Sequence, residues 1–198
     1  MIKLSIRSAS KAWGGTVNNV DAVKTEMAIE EVRSRLVRNA RGSELYADVW
    51  KFGINTALRI SDMLSITLQE AQTGQLKLVE GKTGKRRVVK LNEAAMAIVK
   101  ARSLPGMTYL FEVNCNRAKG KPVSRAAVAK AFKDVGEQMG IALGTHSMRK
   151  TRGWMMHKAS MSIELICKVL NHSSPAVTMS YIGLTAQDVA DTYDQFVL

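Results

Sequence analysis

Among its 198 residues the chain has only two cysteines and three histidines. Cys115 and Cys167 lie far apart and outside any C-x-x-C pair, so the sequence offers no zinc ribbon, redox dithiol or disulfide framework. Both thiols are expected to be buried and reduced. Acidic residues are also scarce, 17 Asp and Glu against 29 Lys and Arg. They form no cluster suited to a divalent cation, which removes support for a metal-dependent nuclease; neither metal nor cofactor is expected. Apolar runs stay well short of the roughly 20 residues a membrane span needs. The amino-terminal run Met1–Arg7 is broken by Lys3 and Arg7 before a signal-peptide core can develop. A soluble, cytoplasmic protein with no membrane partner is therefore expected. Internal repeats and low-complexity tracts are absent too, and the length suits one domain with a full core better than two.

What the chain carries instead is basic charge. A net charge of +12 favours a polyanionic partner, because Lys and Arg that neutralise phosphates release condensed counterions. Nucleic acid leads, although ribosome-associated and membrane-surface proteins are also basic. Residues 1–24, with Gly14-Gly15 and Asn18-Asn19, lack a period and read as an irregular arm or linker. From Thr25 a helical period begins, with Met27, Ile29, Val32 and Leu36 on one face. A second helix is expected from a Ser43 cap, turning Leu45, Val49 and Phe52 inward. Gln75–Glu80 and Arg86–Leu91 read as two strands joined through Gly81-Lys82-Thr83-Gly84-Lys85. Asn92 should cap a helix to about Arg102, and Tyr109-Leu110-Phe111 should be a short extended segment. Ser124 opens a helix with Val128, Phe132, Val135 and Met139 on one face, closed by Gly140. Helices from Ser147, from Ser162 to Leu170, around Tyr181 and from Thr185 complete a mainly α fold with a small antiparallel β-sheet.

A phosphate-bearing partner narrows the chemistry to look for. Phosphodiester transfer without a metal needs cations at the nonbridging oxygens, an acid for the departing oxygen and a nucleophile held in line. Arginine suits the first task, since its guanidinium stays charged and donates a bidentate fork. Arg59, set among Leu58, Ile60 and Leu64, is a charge at the edge of a core and so calls for a buried partner or a ligand. A solvated helix-end cation is the plainer alternative. In His146-Ser147-Met148-Arg149 the i, i+3 spacing sets an imidazole and a guanidinium on one side of a helix start, where anions are favoured. A capping His beside a surface Arg would read the same. Tyr181 alone could be an ordinary core-edge aromatic. Lys82 and Lys85 are mobile ammonium groups on the hairpin turn; Lys85, Arg86, Arg87 and Arg125 could clamp a DNA backbone or simply be solvated charge. His157 has no partner pattern and reads as structural.

Ala57-Leu58-Arg59-Ile60-Ser61-Asp62, the hairpin turn, His146-Ser147-Met148-Arg149 and the stretch from Leu170 through His172 to Tyr181 follow one another in a single order. In that order they resemble the catalytic domain of the tyrosine recombinase (phage integrase) family, over residues 25–185. The resemblance implies that Tyr181 attacks a scissile phosphate, forming a 3′-phosphotyrosyl enzyme and freeing a 5′-hydroxyl. A 5′-hydroxyl from another strand then reverses the step, with neither ATP nor metal. Arg59, Arg149 and His172 would hold the nonbridging oxygens, and His146 would take the phenol proton. Lys82, in preference to Lys85, would protonate the leaving oxygen. Asp62 stands where many members have Glu and would orient Arg59. The implied protein is a site-specific recombinase or integrase of a mobile genetic element, acting on double-stranded DNA in the nucleoid as a dimer or tetramer. A relaxing type IB topoisomerase and a DNA-binding regulator without catalysis are the alternatives. Residues 1–24 would be an arm, 25–183 the catalytic domain, and 184–198 a C-terminal helix whose Val189, Tyr193 and Phe196 could dock on a neighbouring subunit. Because 24 residues are too few for the family's separate DNA-clamping domain, an accessory DNA-binding protein or a missing amino-terminal domain is expected to complete the clamp.

Overall fold

The computed structural model describes residues 20–113, 120–195 and 197. The Thr25 hydroxyl caps α1 (Glu26–Asn39) by accepting the Ala28 N–H at 3.2 Å, and Val32 and Leu36 are buried. Met27, expected on the same face, is 84% exposed. It lies five residues before Val32, about 140° around a helix that turns 100° per residue. In α2 (Leu45–Thr56), Ala47, Val49, Trp50 and Phe52 point into the core, while the cap position falls at Glu44 rather than Ser43. Trp50 meets Phe132 edge-on at 5.7 Å, and Phe52 meets Phe111 at 5.4 Å.

At Ala57 the backbone turns left-handed, with φ 52°, and two short helices follow, α3 (Ile60–Leu64) and α4 (Leu68–Gln72). Neither is legible in the sequence, because five residues are too few to display a helical period. Strands β1 (Gln75–Val79) and β2 (Arg86–Lys90) pair antiparallel with Leu76 opposite Val89 and Leu78 opposite Arg87. Leu76 and Val89 are buried, so this row faces the core. Asn92 caps α5 (Glu93–Arg102), and Leu110 N donates to Ile66 O at 2.9 Å where the extended segment was expected. Helix α6 (Arg125–Met139) runs from a Ser124 cap to left-handed Gly140, burying Val128, Phe132 and Val135.

The last third is all helix: α7 (Ser147–Lys158), α8 (Ile163–Leu170), α9 (Pro175–Ile182) and α10 (Ala186–Gln195). Two glycines set how closely α7 is packed. A Cβ at Gly53 would lie 2.1 Å from Met148 Sδ, and one at Gly153 would lie 2.7 Å from Ile182 Cγ2. Cys167 is buried and free; Cys115 and Phe196 fall outside the described residues. Thr185 and Asp188 cap α10 reciprocally: Asp188 N donates to the Thr185 hydroxyl at 3.2 Å, and Thr185 N to Asp188 Oδ2 at 2.6 Å. Among the described residues no helix is long and apolar enough to cross a membrane.

Candidate active site

The Ala57 carbonyl is the hub of the site. Left-handed backbone at the end of α2 turns this oxygen toward two guanidinium groups. Arg149 Nη1 donates to it from α7, and Arg87 Nη1 donates from β2 at 3.2 Å. Arg149 spends its other amino group on Leu170 O at 2.6 Å, the end of α8, and is only 2% exposed. One side chain thus joins the ends of α2 and α8. A buried guanidinium persists because carbonyl acceptors replace part of the water it lost.

A single carboxylate balances this cationic cluster. Glu80, fully buried at the start of the hairpin turn, forms an ion pair with Arg59 and a second, at 3.3 Å, with Arg87. It also accepts from the Thr83 hydroxyl at 2.8 Å. Burial alone would raise its pKa, but the bonds from Thr83 and Arg59 outweigh that and hold it below the usual carboxylate range. Two residues make contacts that the sequence did not foretell. Arg87, expected to clamp DNA, turns inward: its amino groups also reach Thr56 O at 3.1 Å and Val169 O at 2.5 Å. The strand's period of two carries the signal, since Arg87 shares the core face with Val89. Asp62, expected to orient Arg59, meets the hairpin turn. It accepts the Gly81 N–H at 3.1 Å and so pins the hairpin turn, while Glu80 takes the arginine.

Around the cations stand the two motif histidines and the tyrosine. Tyr181 Oη lies 3.4 Å from His146 Nδ1 and 3.5 Å from His146 O. Burial raises the phenol pKa, against the opposing pull of Arg149 and then Arg59. His146 is pushed below its ordinary value, first by burial and then by Arg149, Arg125, Lys82 and Arg59. Its neutral form, able to accept a proton, is thereby favoured. His172 packs edge-on to Tyr181, ring centroids 4.8 Å apart, and is pushed down to about 4 by burial, Arg149 and Arg59. Its Nδ1 lies 3.0 Å from the Thr178 hydroxyl. Lys150, next to Arg149, is buried with its ammonium 5.5 Å from the Tyr181 ring centroid. Lys82, Lys85, Arg86 and Arg125 are exposed, and Lys82 and Arg125 are close enough to bear on His146.

The structure thus brings Arg59, His146, Arg149, His172 and Tyr181 together, with Lys82 on a turn beside them. Sequence reasoning missed Glu80, Thr178 and Lys150. Glu80 left one signal, an acid at the base of an otherwise cationic turn.

A ring of cations and imidazoles around one phenol, on a mainly helical domain with a single hairpin, defines a tyrosine recombinase catalytic domain. Likeness along the chain points the same way. Residues 20–188 match the Phage integrase family, and the chain belongs to it. The probable integrase/recombinase YoeC of Bacillus subtilis (strain 168) is 31% identical over 182 residues, covering 89% of this chain and 97% of YoeC. Tyrosine recombinase XerA of Pyrococcus furiosus is 25% identical over 71% of this chain, which spans only 50% of XerA. Among solved structures, a lambda integrase dimer bound to a COC' core site superposes with a TM-score of 0.64 at 16% identity, over 92% of this chain and 64% of that one.

Proposed function

We propose that this chain is the catalytic domain of a site-specific DNA recombinase or integrase, with Tyr181 as its nucleophile. The observation that carries the reading is the Tyr181 hydroxyl 3.4 Å from His146 Nδ1, inside the field of Arg149 and Arg59. A buried phenol in this state is a poor nucleophile. It gains strength when a phosphodiester sits against Arg59, Arg149 and His172, because Tyr181 can then pass its proton to His146 as its oxygen bonds to phosphorus. A spacing of 3.4 Å is long for proton transfer, and such contacts shorten once the substrate is bound. Lys82 is the acid for the departing 5′ oxygen. It sits on a turn pinned by Asp62 and bears on His146. Every proton donor and every phosphate cation in this scheme is a side chain.

Lys85, Arg86 and Arg125 are exposed and serve the DNA backbone. The lambda integrase relative is a dimer on DNA, which supports duplex DNA as the partner and a dimer or tetramer as the working form. Duplex DNA as partner supports a working site at the nucleoid. In α10, Val189 is 61% and Tyr193 79% exposed, a face suited to a neighbouring subunit.

The test is covalent capture on nicked duplexes drawn from a random-sequence pool. The chain should form an SDS-resistant adduct in excess EDTA, and Tyr181→Phe should bind DNA without forming one. An adduct with the Phe variant would show that another residue attacks. Holliday junctions formed from two captured duplexes separate a recombinase from a relaxing topoisomerase, which rejoins only the strand it cut.

A further inference from the structure

His172 is held through one ring nitrogen. Nδ1 meets the Thr178 hydroxyl at 3.0 Å, while Nε2 has no protein partner among the described residues. Thr178 is fully buried on the inner face of α9, three residues before Tyr181. Its hydroxyl also reaches back to Ser174 O at 3.3 Å, an oxygen that already accepts the Thr178 N–H at 3.3 Å. A hydroxyl has one proton to give, and these two neighbours compete for it.

The competition fixes which nitrogen of His172 carries hydrogen. While the hydroxyl donates to Ser174 O it can only accept from the ring, so Nδ1 is protonated and Nε2 offers a lone pair. A lone pair repels a phosphate oxygen. If the hydroxyl rotates onto Nδ1, that nitrogen becomes the acceptor and the single ring proton resides on Nε2, where it can be donated. The rotation costs little, since Ser174 O keeps its backbone bond. A ring that titrates at about 4 is neutral at pH 7, so it has one proton and must place it.

We propose that Thr178 is a positioning residue that selects the His172 tautomer. Its hydroxyl rests on Ser174 O in the free protein and turns onto Nδ1 when a phosphate oxygen engages Nε2. In the change one proton leaves Nδ1 to water and one is taken from water at Nε2, so the charge of the site is unaltered. That the anion is a scissile DNA phosphate rests on the recombinase reading. Control of the tautomer by Thr178 does not.

Nitrogen NMR of histidine-labelled protein tests that control directly, with only three histidines to assign. In the free chain His172 should be protonated at Nδ1. Thr178→Val, which keeps the shape and removes the hydroxyl, should shift the proton toward Nε2, and Thr178→Ser should preserve the original state. On a duplex captured as above, Thr178→Val, whose Nε2 already carries the proton, should cleave at least as fast as the parent. Thr178→Ser should stay within a few-fold of the parent, and in a His172→Phe background Thr178→Val should add less than about twofold. The proposal is overturned if His172 has the same tautomer in the parent and Thr178→Val, or if Thr178→Val slows cleavage roughly tenfold or more. If no protein yields a Tyr181-linked adduct, the recombinase reading fails, and the NMR comparison still decides the role of Thr178.

Discussion

The described domain has two apolar cores of very unequal size. The larger runs from Val23 to Met148 and includes Trp50, Phe52, Phe111 and Phe132, and on it stand Arg59 and the hairpin with Glu80. The smaller comprises Ala57, Met156, Ile166, Leu170 and Ile182, with Tyr181 packed against its edge. Aromatic burial dominates core energetics, so the first cluster makes a stiff frame and the second a thin one. Arg59, proposed to receive a phosphate, is thereby fixed in advance. Tyr181, the proposed nucleophile, rides on the thinner core. Arg149 spans the seam, with its backbone on α7 and its guanidinium on Ala57 O and Leu170 O.

The largest expected effect comes from breaking the stiff side electrostatically. Glu80→Ala leaves Arg59 and Arg87 without their carboxylate, and removing one partner of a buried ion pair costs about 3–5 kcal/mol. Urea unfolding should record that loss, with cleavage falling as Arg59 loses its anchor. A loss under about 1 kcal/mol would mean that the frame does not depend on this carboxylate.

Cutting the seam should cost somewhat less stability and more activity. Arg149→Ala leaves Leu170 O without its guanidinium donor, at about 1–3 kcal/mol, while Ala57 O keeps its bond from Arg87. Loss of Arg59–Arg149 repulsion offsets part of this. Covalent capture should drop by roughly 10²-fold or more. Arg149→Lys should not restore it, because one ammonium cannot reproduce the planar fork. Near-parental capture by the Ala variant would remove Arg149 from the chemistry.

Acid should weaken the thin side through its histidines. His172 titrates at about 4 when folded and near 6.5 when free, so between those values the unfolded chain binds the extra proton. The stability present above about pH 6.5 is therefore lost as pH falls toward about 4. Glu80, whose pKa is lowered from 4.5, adds a loss at the acid end of that window. His172→Phe should flatten the curve of urea midpoint against pH in that range. Parallel curves for parent and variant would show that His172 is not the titrating group.

The same division marks what could be read from sequence. Thr25, Asn92, Ser124 and Gly140 are local signals, each a cap within a few residues of the period it bounds, and the structure uses all four. The five motif residues also assemble, because their order along the chain carries the resemblance. What escaped reading is tertiary. Arg87 finds Thr56, Ala57, Glu80 and Val169, partners spread from residue 56 to residue 169, and no window holds them together. Asp62 was paired with Arg59 through the family resemblance, whereas folding brings it to Gly81.

A smaller disturbance probes the thin core by shape alone. Gly153 lets α7 lie against α8 and α9, and an added Cβ would stand 2.7 Å from Ile182 Cγ2 and 3.1 Å from Leu170 Cδ1. Overpacking of this kind costs about 1–3 kcal/mol. Ile182 adjoins Tyr181, so relief of the clash should move the phenol away from Arg149. Gly153→Ala should therefore lose a larger fraction of cleavage than of stability. Equal loss of both would make the two cores one mechanical unit.

The smallest effect on the isolated chain should come from removing α10. This helix belongs to neither core: its apolar Val189 and Tyr193 are largely exposed, its Thr185–Asp188 cap is internal to it, and the Lys24 charge bears on Asp188. Exposed contacts of this sort contribute less than about 1 kcal/mol. Truncation after Leu184 should thus leave the urea midpoint nearly unchanged. If α10 docks on a neighbouring subunit, the truncated chain should still form the covalent adduct yet fail to join two duplexes, because the coupling between active sites is gone. A truncated chain that unfolds early would make α10 a part of its own domain's support. It would then be the thin core, and not the subunit interface, that the helix serves.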